Sequence, residues 1–211
     1  MDTRSVINVY EFYCLTLVLK NTIRSGWKRW NIKKERLESV AEHVYGACML
    51  AIAMDSEFDY NIDIKKVVTM LAVHEVEEIV ISDITPFDGV SKDEKMRIGH
   101  EAVEKIFAPL KKGLDYQSLI FEYDAGLTND SIFAGMCDHL EADIMSFYYD
   151  DAGEYLFENA SIEITSNIKL MELYVSGLKS MREFFYAYDR KYKEYDKNFL
   201  AVLDYVKSQV S

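Results

Sequence analysis

Proline and glycine are scarce in this chain, two and nine among 211 residues, so few positions interrupt a helix or force a turn. Cysteine is too scarce for a disulfide framework: Cys14, Cys48 and Cys137 are odd in number, far apart and set among apolar neighbours, as reduced core thiols would be. Cations are in deficit, 24 Lys and Arg against 36 Asp and Glu, for a net charge of −12. That balance excludes general affinity for nucleic-acid backbones, whose contacts need clustered cations that release counterions. No apolar run is long enough to span a bilayer, and residues 1–20 carry Asp2 and Glu11 without the cleavage pattern of a signal peptide. A soluble, unprocessed, cytoplasmic protein is expected. The chain also lacks a Gly-rich phosphate loop, a G-x-S-x-G elbow and a C-x-x-C pair, which disfavours nucleotide-triphosphate switching, serine hydrolysis and structural zinc.

What is present is apolar and helical in pattern. With 49% hydrophobic and 13% aromatic residues, the chain can bury the core of a single domain. Apolar residues recur every three to four positions, which predicts an all-α fold. The spacing gives an opening helix over 5–20, a basic and aromatic loop over 21–38, and a helix over 39–54 with Ser39 as N-cap and Glu42 completing a capping box. An apolar helix over 63–81 follows, then a loop over 82–91 interrupted by Pro86 and Gly89. Further helices are expected over 92–110, 116–125 and 129–150. The pattern over 162–210 is helical again, and its Phe184-Phe185-Tyr186-Ala187-Tyr188 run reads as core or dimer surface.

Three of these helices carry potential metal ligands. His43 begins one, His74-Glu75 interrupts the most apolar one, and Asp138 lies in Asp138-x-x-Glu141 on a third. Buried ionisable groups are costly unless paired or coordinated. Two imidazoles and two carboxylates suit a divalent metal, and four ligands on an octahedral ion leave two positions for water and substrate. The H-E-x-x-H metalloprotease pattern fails, because the residue one turn after His74 is Glu78. His100 and His139 read as ordinary surface or core histidines.

Taken in order, Leu19-Lys20 to Arg24-Ser25-Gly26-Trp27, Glu38 to His43, His74 to Glu78, Asp83 with Pro86, Lys92 to Lys95, Glu122-Tyr123 and Asp138 to Glu141 resemble the HD-domain metallophosphohydrolases. Their motif is H…HD…D, and the likeness is to their small 5′-deoxynucleotidase branch. The resemblance covers roughly residues 19–150 of a single domain over 1–211; a helical extension over about 160–210 lies outside it. It implies a metal ion (Mn²⁺, Co²⁺, Mg²⁺ or Zn²⁺) held by His43, His74, Glu75 and Asp138, with Glu78 orienting or deprotonating the attacking water. Asp83 would contact the sugar or assist proton transfer. Arg24 and Trp27 would bind the phosphate and shape the nucleotide pocket, with Arg29-Trp30 as a second alignment and Lys92 and Lys95 as further phosphate contacts. A small nucleotide substrate and a homodimer are implied as well.

One departure stands out: the family's His-Asp dyad is His-Glu here, which keeps the charge but adds a methylene and a rotatable bond. The reading that follows is hydrolysis of a nucleoside 5′-monophosphate to nucleoside and phosphate. Triphosphates or phosphodiesters are alternative substrates, and a non-catalytic nucleotide-sensing or assembly module with a degenerate site is the alternative from another class.

Overall fold

The computed structural model describes residues 2–85, 88–151 and 153–209. Every regular element among them is helical: α1 Thr3–Thr16, α2 Ser25–Arg29, α3 Val40–Glu57, α4 Ile64–Val73, α5 Glu78–Ile81, α6 Lys92–Phe107, α7 Gly113–Ala125, α8 Asn129–Tyr149, α9 Ile162–Thr165, α10 Ile168–Val175, α11 Met181–Tyr192 and α12 Lys197–Gln209. The fold is therefore all-α, as the apolar spacing predicts. The chain divides into two compact units, Met1–Arg24 with Glu38–Gly135, and Ser25–Leu37 with Met136–Ser211.

In the first unit, α3 starts where its sequence says it should. The Ser39 hydroxyl accepts from the Glu42 amide at 3.3 Å, and the Glu42 carboxylate accepts from the Ser39 amide at 2.9 Å, satisfying two donors that a helix start leaves open. The helix buries Val40, His43, Ala47, Ala51 and Met54, one stripe at three-to-four spacing. On α4, capped by Asp63, the buried stripe is Val67, Met70 and Leu71, and His74 is the next position along it. Each histidine thus occupies a place that its helix would otherwise give to an apolar side chain.

The sequence pattern predicts one helix over 63–81, but the structure breaks it at residues 74–77. There the amides of Val76, Glu78 and Ile79 donate to carbonyls three residues back, at 3.1, 3.2 and 3.2 Å, the tighter ladder of a 3₁₀ turn. Apolar spacing hardly changes across such a turn, so periodicity misses it. The opening helix likewise ends at Thr16 and continues as a 3₁₀ turn over Leu17–Lys20. The expected loop over 21–38 holds the short helix α2 and an antiparallel bridge between Ile23 and Ser39. Of the residues expected to interrupt the 82–91 loop, Pro86 lies outside the described residues and Gly89 has φ +74.

Val76, from the break at 74–77, packs with Val103, Ile106 and Phe107 of α6 and Ile120 of α7 in one buried cluster. The chain reverses between these helices just before Gly113, where an added Cβ would collide with the Phe107 carbonyl oxygen. Gly113→Ala therefore lowers stability by about 2 kcal/mol or more, because backbone must move to make room. Gly135→Ala, in α8 with open space around it, raises stability by up to about 1 kcal/mol. Urea midpoints of the two variants check this pair.

The second unit is built on aromatic packing. Trp30 lies 5.6 Å from Phe184, and Phe157 stacks on Phe184 at 4.8 Å with the rings 9° from parallel. Asp150, fully buried, accepts from the amides of Tyr155 and Arg182. Among the described residues, 162–209 holds four helices, and Gly177, at φ +108, supplies the backbone turn after α10.

Candidate metal centre

His74 is the best-defined ligand candidate. Its Nδ1 lies 2.7 Å from the Leu71 carbonyl oxygen. A carbonyl only accepts, so Nδ1 carries the hydrogen; in the neutral ring Nε2 then carries the lone pair, the form in which histidine binds metal. The His43 ring, fully buried, is 5.7 Å from it, and Glu75 Oε1 is 3.7 Å from His74 Nε2. His43, His74 and Glu75 each present a ligand atom, all within 4.8 Å of one another. This nitrogen-and-carboxylate set fits a divalent transition metal better than Mg²⁺ or Ca²⁺, which both prefer an all-oxygen shell. The break at residues 74–77 begins at this dyad.

Around these three, the same unit gathers Arg24, Glu78 and Asp83. Arg24 Nη1 donates to Glu75 Oε1 at 3.1 Å, both side chains being mostly buried. Glu78 is 2% exposed. Its carboxyl is pushed up to about 11, first by burial, then by the charges of Glu75 and Asp83 and a hydrogen bond with Glu75, against a lowering by Arg24. Glu77 is raised to about 8 for the same leading reason, burial, with the charge of Glu75 next. A cation among these carboxylates reverses the sign of that local field. Tyr123 packs edge-on against His74 at 5.1 Å, and Lys92 and Lys95 lie in the first turn of α6, exposed and half-buried respectively.

In the second unit α8 carries Asp138, half-buried, and Glu141, buried, one turn apart. Asp138 Oδ2 is 3.7 Å from His139 Nδ1, and His139 Nε2 meets Lys193 at 2.9 Å. Trp27 is 2% exposed, stacked against Phe185 at 5.5 Å and tilted against Tyr149 at 5.1 Å. Its ring is part of the aromatic core. Arg29 pairs with Glu163 at 3.6 Å and Trp30 is buried, so the second arginine-tryptophan pair is also packed within this unit. His100, hydrogen-bonded to Asp124 at 2.7 Å, is an ordinary paired histidine.

Sequence reasoning missed a second acidic group. Asp143, fully buried, accepts from the Tyr195 hydroxyl at 2.8 Å, and burial and then Asp189 push its carboxyl well up. The signal was available: Asp143 falls on the same buried stripe as Leu140 and Phe147, where an acid needs a partner.

The HD domain profile matches residues 18–174. The 5′-deoxynucleotidase HDDC2 of Danio rerio is 31% identical over 146 residues, covering 68% of this chain and 70% of the relative. The 5′-deoxynucleotidase hdd1 of Schizosaccharomyces pombe is 30% identical over 156 residues, 71% of this chain and 76% of the relative. Among solved structures, a protein described as a predicted metal-dependent phosphohydrolase from Magnetospirillum magnetotacticum shares the fold at TM-score 0.68 and 19% identity, covering 98% of this chain and 92% of that one. Three strands of observation converge here: the order of histidines and acids along the chain, the all-helical fold that gathers His43, His74 and Glu75, and these likenesses. The chain belongs to the HD domain family and is a relative of the 5′-deoxynucleotidases within it.

Proposed function

We propose that this protein is a metal-dependent phosphohydrolase that cleaves 2′-deoxyribonucleoside 5′-monophosphates to nucleoside and phosphate. The observation that carries the reading is the preset imidazole of His74 beside His43 and Glu75, with the Arg24 guanidinium bound to the same carboxylate. In this reading His43, His74 and Glu75 hold the metal. Asp138 supplies the fourth ligand, on the strength of its place in the H…HD…D order along the chain. Bound there, a divalent ion acidifies water and polarises the phosphoryl group.

The chain's own residues do the rest. Arg24 offsets charge on the non-bridging phosphate oxygens, an electrostatic role that a mostly buried guanidinium fills well. Glu78 handles the proton: as water oxygen bonds to phosphorus and the bond to the 5′-oxygen breaks, one proton leaves the water and one reaches the departing alkoxide. Asp83, close enough to raise Glu78, is the contact for the sugar hydroxyl. Lys92 and Lys95 lend positive charge at the start of α6.

Mn²⁺ and Co²⁺ suit the mixed donor set, with Mg²⁺ and Zn²⁺ as the other ions to test. The reading places the protein in the cytoplasm as a homodimer. No cysteine forms a disulfide, in keeping with a reducing compartment, and the exposed Val9, Tyr10 and Tyr13 of α1 offer apolar surface to a second copy. The substrate class is tested by phosphate release from matched deoxy- and ribonucleoside 5′-monophosphates. The deoxy series turns over faster, and Asp138→Ala abolishes release from both. Preference for triphosphates or diesters would contradict the proposal.

A further inference from the structure

The dyad glutamate raises a geometric problem that the structure answers. Glutamate has one more rotatable bond than aspartate, and a ligand that swings costs affinity because binding must freeze it. Glu75 does not hang unsupported. Its Oε1 lies 3.1 Å from Arg24 Nη1 and 3.7 Å from His74 Nε2, so one carboxylate oxygen faces both the guanidinium and the metal-binding edge of the imidazole.

Arg24 is itself anchored to the helix that carries His43. Its amide donates to the Glu38 carbonyl at 3.0 Å, the Val40 amide donates to the Thr22 carbonyl at 2.8 Å, and Ile23 bridges Ser39, the N-cap of α3. Four turns of chemistry are therefore tied in register: the Arg24 segment to the start of α3, α3 to His43, Arg24 to Glu75, and Glu75 to His74.

We propose that Arg24 is a positioning residue for the metal, clamping Glu75 Oε1 so that the longer acid serves as a ligand, in addition to any contact it makes with phosphate. The inference rests on the metal-binding reading above. An outer partner that orients a ligand is worth about 10–100-fold in metal affinity.

The test is a Mn²⁺ titration without nucleotide, reading free Mn²⁺ by electron paramagnetic resonance, on wild type, Arg24→Lys, Arg24→Gln, Glu75→Asp and the Arg24→Lys/Glu75→Asp double variant, each checked by circular dichroism. Arg24→Lys is the decisive change, because it keeps the charge but replaces the rigid planar guanidinium, whose Nη1 reaches Glu75 Oε1, with a shorter, more freely rotating ammonium. It should weaken Mn²⁺ binding about tenfold in the wild-type background, and by less than about threefold beside Glu75→Asp, whose shorter acid no longer depends on the clamp. The visible absorption of the Co²⁺ form, which reports the ligand set, should change in Arg24→Lys as well; a merely structural arginine would leave it alone. Arg24→Lys thus keeps the test decisive even should Arg24→Gln fail to fold.

Undiminished affinity in Arg24→Lys, equal losses in both backgrounds, or tighter Mn²⁺ binding by Arg24→Gln would each overturn the proposal, the last by showing that arginine competes with the metal for Glu75. Failure of the wild type to bind either ion is a separate result, which overturns the metal reading and the clamp with it.

Discussion

Glu78→Gln lowers the rate of phosphate release by about 10²–10⁴-fold, the range for losing a positioned acid or base, while leaving metal affinity within a few fold of wild type. Glutamine matches glutamate in shape, and with no metal in the site burial favours the neutral form of Glu78, with the carboxyl raised to about 11. The substitution therefore fits the site it enters. What it removes is the ability to take up and give back a proton. The sign of the accompanying stability effect is fixed. A carboxyl whose pKa is higher folded than unfolded binds more protons in the native state, so its contribution is lost as pH rises from about 4.5 towards 11. With metal chelated, wild type loses stability over that window relative to Glu78→Gln. Unchanged turnover in Glu78→Gln would remove Glu78 from the mechanism.

His74→Ala should be the more damaging change at the metal. The imidazole is 3% exposed, its Nδ1 is committed to the Leu71 carbonyl, and its Nε2 faces Glu75 Oε1. Removing this ligand should cost more than about 100-fold in metal affinity, beyond the range for outer partners, and turnover at sub-saturating metal should fall by at least as much. His100→Ala is the matched control, since His100 pairs with Asp124 on a part-exposed surface and its loss should leave metal binding intact. Metal binding by His74→Ala at wild-type strength would dissolve the proposed centre.

The capping box at Ser39 and Glu42 was legible in the sequence because it depends on residues three apart, and so was the stripe that buries His43. The break at residues 74–77 was not, because a 3₁₀ turn preserves apolar spacing while changing which carbonyl each amide meets. Long-range contacts were equally hidden. Arg24 and Glu75 are 51 residues apart, and Asp143 and Tyr195 are 52 apart. No local pattern announces either pair. The tryptophans show the opposite limit: Arg24-Ser25-Gly26-Trp27 was conspicuous as a motif, yet what it does to Trp27, stacking it against Phe185 in an aromatic core, depends on residues more than a hundred positions away. Residue types in order indicated the chemistry; tertiary packing decided which side chains face one another.

The most direct test of the account is phosphate release from 2′-deoxyadenosine 5′-monophosphate by protein stripped with a chelator and then titrated with Mn²⁺, Co²⁺, Mg²⁺ or Zn²⁺ in turn. Release that is absent after stripping, returns with a divalent ion and yields nucleoside and phosphate in equal amounts is the predicted result. Release that survives the chelator, or that no ion restores while a triphosphate or diester is cleaved, would contradict it.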